Sequence, residues 1–192
     1  MESERPRSRR PARALPLGAA VLAATCAGCV AGSREVIVDQ PMLEADELGA
    51  MTNVYVSGDL WIGSRPCVED LRLAARRGVQ LVVDLCTDGE RGFDAEAVCT
   101  EAGLEYYAVP IALDRLDDHD VDAVIELLED AEGRPTLMFS KSGSDAAMFL
   151  AIYRGVKRNL RVADALATGR RAGMKPGAPG EHVREQMLRL RL

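Results

Sequence analysis

The chain has little lysine, few aromatics and almost no histidine. Of its 24 basic residues only Lys141, Lys157 and Lys175 are lysines, and aromatic side chains make up 4% of the 192 residues. Proteins that hold single-stranded nucleic acid set aromatic platforms in a basic groove, and both parts are scarce here. A formal net charge of -6 argues the same way, because a phosphate backbone is repelled overall. No nucleic-acid partner is expected. The two histidines, His119 and His182, are accompanied by no CxxC pair and no Cys/His cluster. A zinc ligand set is therefore missing, and we expect neither a metal nor a cofactor.

What the chain does have is ordinary globular composition, 47% hydrophobic and 28% charged, enough for one domain. Residues 1–28 read as a leader. Arg5, Arg7, Arg9, Arg10 and Arg13 precede an uncharged stretch from Ala14 to Ser33, the n-region and h-region of an export signal. The stretch is about long enough to span a bilayer, but Pro16, Gly18, Gly28 and Gly32 dilute it, and we read it as a signal peptide. Its end, Thr25-Cys26-Ala27-Gly28-Cys29, resembles a bacterial lipobox, in which small residues precede a cysteine that is diacylated and becomes residue one. The resemblance implies lipidation at Cys29, with Cys26 or simple secretion as alternatives. It also implies an exported lipoprotein of the bacterial envelope, periplasm-facing, whose first partner is the membrane. Five arginines and two glutamates leave with the leader, so the mature chain moves from -6 to -9. Cys67, Cys86 and Cys99 remain in the body, an odd number that leaves at least one thiol unpaired, and buried free thiols are expected.

Residues 29–50 read as an acidic tether, 51–173 as the domain, and 174–192 as a linker with a C-terminal helix. Val54 to Val56 and Leu60 to Ile62 are short extended pieces, and Cys67 to Arg77 carries Val68, Leu71 and Ala75 at helical spacing before Gly78. Gln80 to Cys86 is a β-branched run typical of a buried strand. A short helix from Asp94 to Ala102 and a strand from Glu105 to Val109 follow. Asp118 to Glu132 puts Val121, Val124, Ile125 and Leu128 on one face of a helix with Asp118 as its cap. Pro135 to Ser140 is the next strand, and Ala146 to Val156 is apolar nearly all round, as a covered central helix would be. Helices over Val162 to Ala172 and His182 to Leu190 end the chain. This order predicts an α/β fold, a mostly parallel sheet with helices on both faces.

In such sheets functional loops lie at the carboxyl ends of the strands. The loop after the last strand is Ser140-Lys141-Ser142-Gly143-Ser144-Asp145. A buried strand entering a small glycine-containing loop and then an apolar helix has the layout of an anion cradle, with backbone N–H groups facing one point. A plain βα turn with Ser144 or Asp145 as helix cap has the same local signature.

From Asn53 to Ala172 the pattern resembles the bacterial β-lactamase-hydrolase-like cysteine phosphatases, within the protein tyrosine phosphatase superfamily. The pieces are Asn53-Val54-Tyr55-Val56-Ser57-Gly58, Gly63-Ser64-Arg65-Pro66, Val82-Val83-Asp84-Leu85 with Asp88-Gly89-Glu90, Ala102-Gly103-Leu104-Glu105-Tyr106, and Ala151-Ile152-Tyr153-Arg154. The resemblance implies a tyrosine-phosphatase-like fold. It also implies a reaction in which a cysteine thiolate attacks phosphorus while an arginine five residues later holds two phosphate oxygens. Those two positions are Ser140 and Asp145 here, and Phe139 stands where a histidine usually precedes the cysteine. A serine hydroxyl without a base is not an activated nucleophile. A carboxylate in place of the guanidinium reverses the sign of an interaction worth roughly 4 kcal/mol at about 4 Å and an effective dielectric near 20. Lys141 offsets part of this only if it turns inward.

The resemblance further places a general-acid aspartate in the loop after the third strand, where Asp114 or Asp117 stands beside Asp118, His119 and Asp120. Asp88, Glu90 and Arg91 are expected on the same rim, and Trp61 as a packing residue. The reading is a lipid-anchored pseudophosphatase that serves as a binding or scaffolding module for an unidentified protein or small molecule. The alternative is a residual phosphatase or hydrolase using Ser140 or another nucleophile.

Overall fold

Leu81–Asp84 is buried at every position, as is Thr136–Ser140. Strands covered on both faces must be apolar on both, which is why these runs lack the alternation of a half-exposed strand. The computed structural model describes residues 43–191. The expected leader, Cys26, Cys29 and most of the tether lie outside the described residues.

The described chain forms one six-stranded sheet. Its strands are β1 (Glu44–Ala45), β2 (Tyr55–Ser57), β3 (Leu60–Ser64), β4 (Leu81–Asp84), β5 (Glu105–Ala108) and β6 (Thr136–Ser140), in the order β1-β2-β3-β6-β4-β5. The β1–β2 and β2–β3 pairs are antiparallel; β3–β6, β6–β4 and β4–β5 are parallel. The expectation of a mostly parallel sheet holds. Six helices flank it: α1 (Val68–Arg76), α2 (Ala95–Ala102), α3 (Asp118–Asp130), α4 (Ser144–Lys157), α5 (Val162–Arg171) and α6 (Ala178–Arg189).

Successive strand residues point to opposite faces, and the core divides accordingly. Ile62, Leu81, Val83 and Met138 join the cluster under α3 to α6, while Val82, Leu137 and Phe139 join the one under α1 and α2. Helix α4 is buried on nearly every side, from Ala146 through Tyr153, because it lies between the sheet and α5 and α6. Trp61 packs against the α1–α2 cluster with the Arg77 guanidinium 5.7 Å from its ring centre.

Several boundaries differ from expectation. Residues 43–50 are packed rather than tethering: β1 extends the sheet, Leu48 is fully buried, and Asp46 pairs with Arg77 at 2.9 Å. Buried Asp70 accepts from the amides of Ala50 and Cys67, both at 2.8 Å, and fastens this segment to the start of α1. Helix α6 begins at Ala178 rather than His182, and it buries Val183 and Met187 in the α3–α6 cluster. Helix α3 is capped by Asp117, whose Oδ1 accepts the Asp120 amide at 3.0 Å, not by Asp118. Asp118 instead accepts from Gln186 of α6 at 2.9 Å. Cys86 and Cys99 are buried thiols as expected, but Cys67 is exposed.

Candidate functional site

Strand β6 lies between β3 and β4, so the loop that leaves its carboxyl end sits at the middle of the sheet. The backbone steps from Ser140 into α4 through Gly143, which takes φ = 85° and accepts the Ala147 amide at 2.9 Å. A Cβ on Gly143 would stand 3.1 Å from the Gly63 carbonyl carbon and 3.2 Å from the Ser64 nitrogen, so β3 and the loop approach at a distance only glycine permits. Gly143 is therefore the N-cap, and neither Ser144 nor Asp145 has that role.

Three remote segments hold the loop. Asn53 donates its side-chain amide to the Ser142 carbonyl at 3.1 Å, and the Arg65 amide reaches the Lys141 carbonyl at 3.5 Å. Ser144 Oγ accepts the amide of Lys175, from the α5–α6 connection, at 3.0 Å. Among the described residues, the N–H groups of Ser142, Ser144 and Asp145 have no acceptor. These donors open the first turn of a helix, where partial positive charge collects.

Ser140 is 1% exposed and faces Ser64 on β3. Its Oγ accepts the Ala146 amide at 3.5 Å, and its hydrogen-bond partners among the described residues include no histidine. Asp145 is partly buried; burial first, and then the Glu90 carboxylate, raise its acid group above the usual aspartate range, with Lys175 pulling the other way. Lys141 points to the rim, where its Nζ lies 3.5 Å from Glu90 Oε1 and its side chain is 66% exposed. Burial works to raise the Glu90 carboxyl, but hydrogen bonds from Thr87 and the charge of Lys141 hold it below the glutamate norm. Arg65 donates to the Glu90 carbonyl. Glu90 thus joins the loop, whereas Arg91 turns toward buried Asp84 at 3.0 Å and Asp88 at 2.5 Å.

Of the general-acid candidates, Asp114 is exposed on the turn before α3, and Asp117 spends its carboxylate on the α3 cap. His182 Nε2 lies 3.3 Å from the Leu113 carbonyl, which fixes that turn to α6. No group of three or more His, Cys, Asp or Glu side chains suited to a metal ion occurs among the described residues. The sequence reading missed Lys175, Asn53 and Arg65. Nothing local marks Lys175, which reaches the loop only because α5 folds back on α4. The sequence did carry Asn53 and Arg65 within the quoted pieces, without showing which would touch the loop.

No family model matches the chain. It is 28% identical over 143 residues to the β-lactamase hydrolase-like protein of Xylella fastidiosa strain Temecula1, covering 72% of this chain and 33% of that one. It is also 28% identical over 158 residues to the dual specificity protein phosphatase TpbA of Pseudomonas aeruginosa strain UCBPP-PA14, covering 81% and 70%. The crystal structure of P. aeruginosa TpbA superposes with a TM-score of 0.65 at 24% identity, covering 79% of this chain and 98% of that one. This is the tyrosine-phosphatase-like fold. The active form of Tk-PTP shares that fold, with a TM-score of 0.57 at 19% identity, covering 68% and 91%. The chain spans about a third of the length of the Xylella proteins it matches.

Proposed function

We propose that the protein is a pseudophosphatase, a phosphatase-like body used for binding or scaffolding rather than turnover, held to the bacterial envelope by a lipid on Cys29. The observation that carries this reading is the pair Ser140 and Asp145 at the two ends of the β6–α4 loop. Ser140 is buried without a base, and a carboxylate stands on the turn where the related phosphatases need a phosphate-binding cation. Serine alone does not abolish ligand capture, since a cysteine-to-serine variant of P. aeruginosa TpbA is known in complex with phosphotyrosine. Asp145 is therefore the deciding residue. Its charge opposes an oxyanion at the amides of Ser142 and Ser144, and Lys141 is occupied at the rim by Glu90.

The test is turnover of an aryl phosphate by the purified protein. The unmodified chain should be inactive, and so should Ser140→Cys, because the cradle stays anionic. Ser140→Cys combined with Asp145→Arg should regain measurable turnover, since Asn53, Arg65 and Lys175 hold the loop. Phosphatase activity in the unmodified chain that disappears in Ser140→Ala would overturn the reading.

A further inference from the structure

We infer that the outer face of α5 and α6 is an interaction surface of its own, one that rests on the anionic headgroups of a phospholipid bilayer. Charge along the chain is sharply divided. Residues 43–150 hold eight basic side chains against 23 carboxylates, whereas residues 151–192 hold ten against three. A formal charge of -15 is therefore followed by one of +7, a polarity that the net value of -6 conceals. The basic segment comprises the second half of α4 with α5 and α6, which touch each other and cover α4 on the side away from the sheet.

Only part of that charge is available to a partner. Lys157 pairs with Glu132 at 2.9 Å, Arg161 with Asp164 at 2.8 Å, and Arg189 with Asp118 and Asp122. Arg154 donates to the Ser57 carbonyl, Arg158 is engaged as well, and the charge of Lys175 acts on Asp145. Four arginines remain on the outside. Arg170 and Arg171 end α5, are exposed, and have no ion-pair partner among the described residues. Exposed Arg184 on α6 and Arg191 just beyond it give hydrogen bonds only to backbone carbonyls, Arg184 to Gly180 and Arg191 to Gly155 and Leu160. The exposed carboxylates on α6 are Glu181 and Glu185, so the four guanidinium groups outnumber them two to one. Leu188 stands among these arginines, four residues after Arg184 and three before Arg191, and is 63% exposed. Exposed arginines beside an exposed leucine on an outer helix suit a lipid surface: guanidinium forks take headgroup phosphates, and the apolar side chain enters the acyl boundary. The lipid proposed on Cys29 supplies the bilayer, and the inference rests on that reading for this alone.

Residue-resolved NMR of the full chain, expressed in a bacterium and placed in bicelles, tests the surface. The bicelles are phosphatidylcholine alone or mixed with phosphatidylglycerol, and a lipid with a gadolinium chelate on its headgroup is the probe. With phosphatidylglycerol present the amides of Ala167, Arg171, Arg184 and Leu188 should broaden, and that of Tyr107 on the edge strand β5 should not. Each of Arg170→Gln, Arg171→Gln and Arg184→Gln should lower the bound-to-free ratio about fivefold. Leu188→Ser should lower it too, whereas Tyr107→Ser, at the other exposed large apolar side chain, should leave it unchanged. All five side chains are exposed, so the fold tolerates their replacement. Broadening that is equal in the two bicelles, that falls elsewhere, or that ignores the α5 and α6 variants would overturn the inference. Shifts at the same amides with soluble polyglutamate, and none with phosphatidylglycerol, would overturn it in favour of an acidic protein. Acylation is read separately by mass: an acylated chain without the broadening loses this surface and keeps the anchor, and an unacylated chain with it does the reverse.

Discussion

Tyr106 on β5 donates its hydroxyl to Asp84 Oδ2 at 2.7 Å, across to the neighbouring strand β4. The same oxygen receives Arg91 Nε at 3.0 Å, and Oδ1 accepts the Cys86 amide at 2.7 Å. Burial, with Asp84 adding to it, pushes the tyrosine hydroxyl well above the usual phenol range, so it stays a donor. Removing one member of a buried ion pair leaves the other uncompensated, which costs about 3 to 5 kcal/mol in full burial. Arg91 keeps a quarter of its side chain in solvent, so Asp84→Ala should lower unfolding stability by about 2 to 3 kcal/mol. Tyr106→Phe should cost about 1.5 kcal/mol, one charge-assisted hydrogen bond. Urea denaturation followed by circular dichroism measures both.

Gly143→Ala should destabilise more than Gly78→Ala, although both glycines have φ near 90°. A Cβ at position 78 meets nothing within 4 Å, so only the left-handed backbone resists it, at about 1 to 2 kcal/mol. At position 143 the Gly63 and Ser64 backbone stands in the way as well, and the cost should exceed that of Gly78→Ala by about 1 kcal/mol or more. Equal losses in parallel denaturation curves would contradict the close approach of β3 and the loop.

The raised acid group of Asp145 has a signed consequence. Below the ordinary aspartate value of about 3.9 both folded and unfolded chains hold the proton, and the side chain makes no difference to the pH dependence. As the pH rises above that value the unfolded chain ionises first, and folding loses stability until the folded group ionises too. Asp145→Asn removes this loss. Going from pH 3 to pH 7 should therefore be more favourable for Asp145→Asn than for the wild-type chain. Thermal melts of both proteins across that window read the difference directly, independent of any constant offset from the substitution.

Anchoring is tested at the cysteines. Cys29→Ala should abolish labelling by a fatty-acid analogue and release the protein from membranes in cell fractionation. Acylation that survives Cys29→Ala and vanishes in Cys26→Ala would move the site, and insensitivity to both would remove the anchor from the proposal.

Strand identity was legible because burial on both faces writes an uninterrupted apolar run, as in Leu81–Val82–Val83, and α4 was legible for the same reason. Boundaries were less so. The start of α6 hides behind Pro179, which reads as a breaker yet fits the first turn of a helix, where its missing N–H would have had no partner. Asp117 and Asp118 are equally good caps in composition, and the contact of Asp118 with Gln186, which lies 68 residues away, separates their roles. The loop after β6 was found from strand, glycine and helix in succession. Its walls were not, because Asn53 and Lys175 reach it through the tertiary fold, and no local pattern records a neighbour 31 residues away.

The anchoring of the loop by Asn53, Arg65 and Lys175 makes its shape and its chemistry largely separable traits. Positions 141 and 145 supply side chains to a backbone whose course is set elsewhere, and position 140 adds only the long contact of its hydroxyl with the Ala146 amide. Side chains at the three positions can thus change while the receptacle stays, whereas displacing Asn53 or the Lys175 segment would alter the receptacle while leaving every loop residue in place.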